Sequence, residues 1–337
     1  MYARFDGRGQ LDDGVREDGR AKPRRLRWFI MRVVVIGGTG HIGSYLVPRL
    51  VGRGYETVCV SRRQRQPYVA DERWAMVDHA VIDRAVEEQR GQFGERIAAL
   101  RPNVVIDLTC YAPDSAVQLS NALSGRVDHL IHCGTIWVHG PSVEVPTTED
   151  APRRPFGDYG CRKAAIEKYL LDQSAAGRLP ATVLHPGHLV GSGWPPVNPA
   201  GNFNPRVFDD LSHGRPVRLP NFGLETLHHV HADDVAQAFE KAVEQPETVI
   251  GESFHVVSPA ALTFRGYAEG MAAWYGVEAN LEFLPYDEWR AGVSDRDAAV
   301  TLDHLRHSPN CSIARARSRL NYAPRYSSLA AVQDSLR

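Results

Sequence analysis

The sequence predicts a doubly wound α/β fold, in which a parallel β-sheet lies between helices, with a smaller second domain toward the C-terminus. Three observations lead to this prediction. Short segments rich in β-branched residues alternate with helical segments over residues 31–186. A glycine-rich turn follows the first of these strands directly. The chain has 337 residues, which suits about two domains.

The composition is that of an ordinary globular protein. Hydrophobic residues make up 43% of the chain and charged residues 23%. The net charge is −1, so we expect binding neither to nucleic acid nor to a membrane surface. No apolar run approaches the roughly 18 residues that cross a bilayer. The five cysteines are widely spaced, which argues against a disulfide framework and is typical of a cytoplasmic protein.

Residues 1–30 differ from the rest of the chain. They contain eight Lys or Arg and five Asp or Glu, with little hydrophobic periodicity. No apolar stretch follows these charges, so the pattern is not that of a secretory signal. We expect a disordered extension, or sequence upstream of a true start at Met31. A basic arm that binds a partner is the alternative.

A strand, a glycine-rich turn and a helix begin the predicted sheet. Residues 31–36 are almost wholly apolar, as in a strand buried on both faces. Residues 37–43 contain glycine at every third position, and a helical pattern runs over about 42–53. Such glycines let a pyrophosphate approach the backbone at the helix N-terminus, as in Rossmann domains. The cofactor-binding residues predicted here are Gly37, Gly40, His41, Ile42 and Gly43.

The end of the second strand indicates which dinucleotide binds. NAD specificity usually requires an acidic residue at this point, which binds the ribose hydroxyls. The strand over residues 56–60 is followed instead by Ser61, Arg62 and further basic residues. A hydroxyl and guanidinium groups suit a 2′-phosphate, so the sequence favours NADP, with NAD as the alternative. A solvated basic loop that binds nothing would give the same pattern.

Further elements complete the predicted sheet. Strands are expected over residues 74–78, 104–108 and 129–133, and helices over about 83–100 and 114–123. Ligands of parallel sheets bind at the carboxyl ends of the strands. Further residues therefore expected at the ligands are Ser61, Arg62, Asp78, Leu108 and Thr135.

Thr135, Tyr159 and Lys163 form the predicted catalytic set. Tyr159 and Lys163 are four residues apart in a helical segment, so they share one face of a helix. A nearby ammonium and a positive nicotinamide ring would lower the pKa of the tyrosine. Tyr159 could then exchange a proton with a substrate hydroxyl or carbonyl, whose oxygen the Thr135 hydroxyl would hold.

With these motifs the chain resembles the extended short-chain dehydrogenases/reductases of the NAD-dependent epimerase/dehydratase family. Residues 185–188 are similar to the family's Arg-Pro-Gly segment, and residues 231–236 to its His-Val-Asp-Asp-Val-Ala segment. The resemblance implies catalysis by Thr135, Tyr159 and Lys163, with Tyr159 and Lys163 also at the cofactor and Lys163 bonded to the nicotinamide ribose. It places Pro186 and His188 beside the cofactor. It also implies a homodimer formed through helices of the first domain.

Two departures from the family pattern bear on the substrate. Dehydratases of the family carry an Asp-Glu pair after the catalytic Thr, where this chain has Ile136 and Trp137. Members that act on nucleotide sugars often have an arginine where this chain has Leu227. Water elimination is therefore disfavoured, and so is pyrophosphate binding at that position. Other candidate anion ligands are Arg206, Arg215 and Arg218, which could equally be surface charges.

Residues 188–228 are expected to determine specificity. Their Pro- and Gly-rich sequence favours a loop over the active site. The predicted substrate-binding residues are Thr135, Ile136, Trp137, His188, Trp194, Asn202 and Phe203. We expect a nucleotide-binding domain over 31–186 and about 228–257, and a substrate-binding domain over about 187–227 and 258–337.

Residues 228–231 contain three histidines and are followed by Asp233 and Asp234, a composition that would suit a metal site. The family places a strand-to-helix junction here, where one of these aspartates can cap the helix. We therefore predict no metal.

The leading functional hypothesis is an NAD(P)-dependent oxidoreductase that acts on a secondary alcohol or ketone of a small molecule. An epimerase that acts on a sugar or nucleotide sugar and retains its cofactor uses the same residues and stays the main alternative. A dinucleotide-sensing regulator without activity is disfavoured, because Tyr159 and Lys163 are both present.

Overall fold

The computed structural model describes residues 31–62 and 65–337. The expectations for residues 1–30 lie outside the described residues, as do Arg63 and Gln64. Within these two ranges, every helix is too short or too polar to cross a membrane.

The secondary structure alternates as the sequence predicts. The strands are β1 (Arg32–Ile36), β2 (Glu56–Ser61), β3 (Asp78–Val81), β4 (Val104–Asp107), β5 (His129–Cys133), β6 (Ala181–Pro186), β7 (His188–Val190), β8 (Val217–Pro220), β9 (Thr226–Leu227), β10 (His229–His231), β11 (Ser253–Val256), β12 (Leu262–Thr263) and β13 (Leu281–Leu284). The helices are α1 (His41–Gly52), α2 (Arg84–Gln89), α3 (Phe93–Ala98), α4 (Pro113–Leu123), α5 (Gly157–Ala175), α6 (Arg206–Ser212), α7 (Ala232–Glu244), α8 (Pro246–Val249), α9 (Phe264–Tyr275), α10 (Tyr286–Arg290), α11 (Asp295–His307), α12 (Ala314–Leu320) and α13 (Ser328–Ser335).

Seven parallel strands form the central sheet, in the order β11-β6-β5-β4-β1-β2-β3. The predicted doubly wound fold is thus confirmed. The strand order reverses between β1 and β4, and in such sheets a ligand crevice opens at this point. The turn after β1 and the residues after β4 therefore border the same crevice.

Alternate residues of β1 enter two different cores. Val33 and Val35 belong to the core beneath α1, α7 and α12, whereas Val34 and Ile36 belong to the core beneath α3, α4 and α5. A strand buried on both faces has to be apolar at every position, which explains why this segment does not alternate in polarity.

A third core lies on the side of the chain expected to bind substrate. It draws on residues from Val190 to Val332, including Phe264, Tyr267 and Met271 of α9. Three two-stranded pairs accompany this core: β7 with β10, β9 with β12 and β8 with β13. The division into two domains stays a prediction.

Two element predictions are wrong. Residues 72–76 form a short 3₁₀ helix, because the Asp71 carboxylate accepts a hydrogen bond from the backbone N–H of Arg73 and caps the turn. The third strand consequently begins at Asp78 instead of ending there. The single helix expected over about 83–100 is two short helices, α2 and α3, which Gly91 separates at a φ of +67°.

We expect Gly43→Ala to destabilise the protein, because a Cβ at this position would lie 2.2 Å from the carbonyl oxygen of Gly38. Neither backbone segment can move without opening the turn, so the expected loss is about 1–3 kcal/mol in the free energy of unfolding. Urea unfolding measures this loss. The control is Gly292→Ala, where the nearest atom would be 3.5 Å away. Equal stability of the two variants would contradict the prediction.

Candidate active site

A groove of about 830 Å³ runs along the carboxyl edge of the sheet at β1, β2 and β4. Predicted cofactor residues that line it are Gly37, Gly40, His41, Ile42, Gly43, Ser61, Arg62, Leu108 and Tyr159. Gly37 has a φ of +84°, and a Cβ there would lie 2.4 Å from the Thr109 methyl group. Only glycine is therefore compatible with this turn and with its contact to the residues after β4.

The N-terminus of α1 at this groove suits a phosphate. The capping residue is Gly40, which has no side chain to occupy the backbone N–H groups of the helix, and the first turn contains no acidic residue. The backbone N–H groups at the start of a helix carry partial positive charge and bind anions when no side chain occupies them. The donors and the volume of the groove both fit a dinucleotide.

The second end of the groove is basic. Ser61 ends β2, the exposed Arg62 follows it, and Arg65 also lines the groove. The Arg65 guanidinium donates a hydrogen bond to the Tyr68 hydroxyl and lies 5.6 Å from the centre of that ring. The predicted basic cluster therefore borders the groove in its described part.

The structure does not place Asp78 at this groove. Asp78 begins β3 and pairs with Val58, whereas Ile82 and Asp83 follow the carboxyl end of the strand and line the groove. The error follows from the predicted strand over residues 74–78. The strand in the structure begins at Asp78, so Asp83 lies near its carboxyl end, where Asp78 was expected. The Asp83 carboxylate accepts hydrogen bonds from two backbone N–H groups and caps α2.

A separate cavity of about 350 Å³ adjoins Tyr159. Its lining residues are Thr135, Ile136, Trp137, Tyr159, Gly187, His188, Phe203, Val300, Asp303 and His304. Tyr159 is the described residue that lines both this cavity and the dinucleotide groove. A molecule in the cavity and a dinucleotide in the groove would therefore meet at this tyrosine.

The environment of Tyr159 differs from the expected one. Burial of the hydroxyl raises the pKa of Tyr159, the charge of a Cys133 thiolate would raise it further, and a hydrogen bond with the Thr135 side chain lowers it. The protein alone therefore keeps the phenol protonated at neutral pH. Lys163, which the sequence predicted would lower the pKa of Tyr159, is not among the groups that shift it.

Lys163 is buried and lines neither of the two cavities. Its side chain is 2% exposed, and its ammonium donates hydrogen bonds of 2.8 and 2.7 Å to the carbonyl oxygens of Cys110 and Cys133. Burial lowers the pKa of Lys163. These two bonds connect α5 to the ends of β4 and β5 and leave one ammonium proton for another acceptor.

A chain of buried polar groups holds Thr135 in place. The Thr135 backbone N–H donates to Nδ1 of His185 at 3.0 Å, and Nε2 of His185 donates to Glu167 at 2.9 Å. Arg153 donates two hydrogen bonds to the same carboxylate, at 2.5 and 3.1 Å. Burial would raise the pKa of Glu167, but His185 and Arg153 outweigh it and lower the pKa. His185 therefore connects Glu167 of α5 to the Thr135 backbone.

Two histidines face the substrate-side cavity in neutral form. Burial lowers the pKa of His188 well below its usual value and that of His304 to about 4. Nδ1 of His304 lies 2.8 and 2.9 Å from the carbonyl oxygens of Gly201 and Val300, so this nitrogen carries the proton. Helix α11, which supplies His304 to the cavity, carries no motif, and sequence reasoning missed it.

Three predicted site residues lie elsewhere. The Trp194 ring lines the dinucleotide groove and stacks on His41, with ring centres 4.9 Å apart. Asn202 is buried, does not line the cavity, and bonds to Asn198 and Thr301. Pro186 is buried within β6 and lines neither cavity. Thr135, Ile136, Trp137, His188 and Phe203 line the expected cavity.

The histidines of the segment 228–231 make separate hydrogen bonds. His228 bonds to the Ser258 carbonyl oxygen and accepts from the Cys311 N–H. His231 accepts from the Asp233 N–H and so caps α7, which corrects the expected aspartate cap. Asp234 instead accepts from two backbone N–H groups at residues 325 and 326.

Asp107, Cys110 and His132 are a second candidate metal group, with ligand atoms within 4.8 Å of one another. Arg84 already donates to both oxygens of Asp107, at 2.7 and 2.9 Å. Burial raises the pKa of Cys110 to about 12, which disfavours the thiolate that a metal needs. These contacts favour a structural ion pair, and we propose no metal here.

Comparison with known proteins identifies the family. A model of the NAD dependent epimerase/dehydratase family matches residues 33–256, so the chain belongs to this family of NAD(P)-dependent enzymes. The resemblance inferred from the motifs is thereby confirmed.

Individual relatives carry out different reactions. A 2′-dehydrokanamycin reductase from Streptomyces kanamyceticus is 28% identical over 77% of this chain and 71% of its own. A UDP-glucose 4-epimerase from Azospirillum brasilense is 27% identical over 61% of this chain and 66% of its own. A UDP-glucose 4-epimerase structure from Thermotoga maritima aligns with a TM-score of 0.68 and 22% identity, covering 91% of this chain and 97% of that one. This structural likeness concerns the fold.

We expect Glu167→Gln to destabilise the protein at pH 7 by about 3 kcal/mol, because it leaves Arg153 without its buried anionic partner. Since the pKa of Glu167 is lowered in the folded state, the stabilisation is present above the unfolded-state pKa of about 4.3. It is lost as the pH falls further. Urea unfolding of both proteins between pH 7 and pH 3 measures this difference, and a gap that does not narrow on acidification would contradict the assignment.

Proposed function

We propose that the protein is an oxidoreductase that transfers hydride between NADP(H) and a secondary alcohol or ketone of a small molecule. The observation that supports this most directly is the position of Tyr159, which lines both the groove that fits a dinucleotide and the cavity that contains Thr135. A proton donor at this junction can serve a carbonyl whose carbon faces the groove.

The residues that would hold the dinucleotide are those of the groove. The N–H groups of the turn after β1 and of the start of α1 would bind the phosphates. When bound, the nicotinamide supplies or accepts the hydride. In the direction of reduction, Tyr159 donates its proton to the carbonyl oxygen, since a tyrosine with an ordinary pKa near 10 already carries that proton at neutral pH.

Thr135 and Lys163 support this proton transfer. The Thr135 hydroxyl accepts a hydrogen bond from the Trp137 N–H at 3.3 Å, which orients its own proton toward other acceptors. The buried Lys163 ammonium has a third donor that could reach a ribose hydroxyl.

A preference for NADP is supported by Ser61, Arg62 and Arg65, which line the basic end of the groove. Guanidinium groups bind phosphate through several charge-assisted hydrogen bonds. Asp83, which lines the same groove, already accepts two hydrogen bonds from helix α2. Both bonds end on Oδ1, which leaves Oδ2 for a ribose hydroxyl, so NAD is the alternative cofactor.

Epimerisation of a nucleotide sugar is the second candidate, because curated relatives include UDP-glucose 4-epimerases. The candidate anion ligands argue against it. Arg206, Arg215 and Arg218 each pair with an acidic side chain, and Leu227 is fully buried. Within the described residues, the cavity lining contains neither arginine nor lysine for a pyrophosphate.

We expect Tyr159→Phe to reduce kcat at least about a hundredfold, because it removes the proton donor. NADPH binding should change less than twofold. The measurement is NADPH oxidation at 340 nm with a panel of cyclic ketones, and calorimetry for cofactor binding. Tyr169→Phe, on the same helix, is the control and should behave like the wild type.

Normal turnover by Tyr159→Phe would refute the proposed proton donor.

Native mass spectrometry of the purified protein tests the reaction class. A stoichiometric dinucleotide that does not exchange with added NADPH would favour the epimerase, whereas reversible uptake of NADPH supports net oxidoreduction.

We expect Arg62→Ala to weaken NADPH binding about tenfold and NADH binding less than twofold, because only NADPH carries the 2′-phosphate. Calorimetric titrations with both cofactors measure this difference. The control is Arg126→Ala, whose exposed guanidinium pairs with Glu95 away from the groove. An equal loss for both cofactors, or no loss, would rule out the phosphate contact.

A further inference from the structure

The cavity beside Tyr159 has an unusual distribution of charge. Of its ten described lining residues, Asp303 is the one acid, and none is arginine or lysine. His188 and His304 are neutral there because burial lowers the pKa of both. The cavity therefore offers one carboxylate and no cationic side chain to balance it.

Asp303 is available to a ligand. It is exposed on α11, and its carboxylate forms no salt bridge with any residue in the described ranges. The backbone oxygen of Asp303 accepts a hydrogen bond from Nδ1 of His307, which fixes this turn of the helix. The nearby Arg306 lies over the Phe156 ring at 4.2 Å and does not line the cavity.

The remaining lining offers aromatic surface. Trp137 and Phe203 present ring surface, and cations bind favourably to such surfaces. Both ring nitrogens of His188 are buried, so this neutral imidazole adds no charge to the lining.

The volume limits the size of the ligand. About 350 Å³ is at the lower end of the range for small-molecule sites. It suits a molecule of one or two rings, and a carbonyl at Tyr159 would leave room for a substituent that reaches Asp303.

We propose that the substrate of this cavity is a compact ketone or secondary alcohol bearing a protonated amine, and that Asp303 binds the ammonium group. The carbonyl part rests on the proposed function. The amine part rests on the cavity alone, so binding can test it without turnover.

The test compares two alcohols of similar shape, trans-4-aminocyclohexanol and trans-4-methylcyclohexanol, by calorimetric titration of the protein with and without NADPH. We expect the amine to bind about fivefold more tightly to the wild type, as for an exposed ion pair with an aromatic contribution. In Asp303→Asn this preference should fall below twofold. The control Asp295→Asn, on the same helix but outside the cavity, should keep it.

Equal affinities of the wild type for the two alcohols would overturn the proposal, and so would a preference that survives in Asp303→Asn. Failure of both alcohols to bind at millimolar concentrations would also overturn it. Reduction of 4-aminocyclohexanone and 4-methylcyclohexanone is then followed at 340 nm. An amine preference in binding without reduction of either ketone would refute the oxidoreductase function and leave the amine site intact.

Discussion

The arrangement of the candidate site depends on the neutralisation of one buried carboxylate, Glu167. This residue follows Tyr159 and Lys163 at intervals of four, so all three lie on one face of α5. Glu167 bonds to His185 of β6 and to Arg153, and His185 in turn holds the backbone of Thr135. A buried charge has to be paired, and pairing this one joins the helix to the sheet beside the two cavities. Lys163 makes the second connection, through carbonyl oxygens at the ends of β4 and β5.

The parts of the fold that are fixed by local constraints could be predicted from the sequence. The turn at Gly37 requires a positive φ and has no room for a Cβ beside the Thr109 methyl group, and both conditions restrict this position to glycine. The third strand was misplaced because its apolar residues adjoin a turn that Asp71 caps, and apolar content alone does not separate strand from helix in so short a segment. That error carried over to Asp78, whereas Asp83 lies at the groove.

Contacts between distant segments could not be predicted from the sequence. Asp303 and His304 of α11 line the cavity together with residues more than 90 positions earlier in the sequence, and the sequence of α11 itself does not indicate this contact. The direction of the Tyr159 pKa was also missed. Spacing along the helix suggested that Lys163 would act on it, but the ammonium is committed to two carbonyl oxygens and burial of the phenol dominates. Spacing along a helix indicates which side chains lie close together, but the direction of a pKa shift also depends on how far the group is removed from water.

Residues 194–203 border both the dinucleotide groove and the cavity beside Tyr159. Trp194 stacks on His41 at the dinucleotide groove, and Phe203, nine residues later, lines the cavity beside Tyr159. Between Trp194 and Phe203, the side chains of Asn198 and Asn202 form a hydrogen bond of 2.7 Å, which restrains the segment that joins the two sites. The two sites are therefore not modular. A loop grafted from a relative to change which substrate is accepted would also alter the surroundings of His41, so selectivity for substrate and for cofactor would have to be re-engineered together.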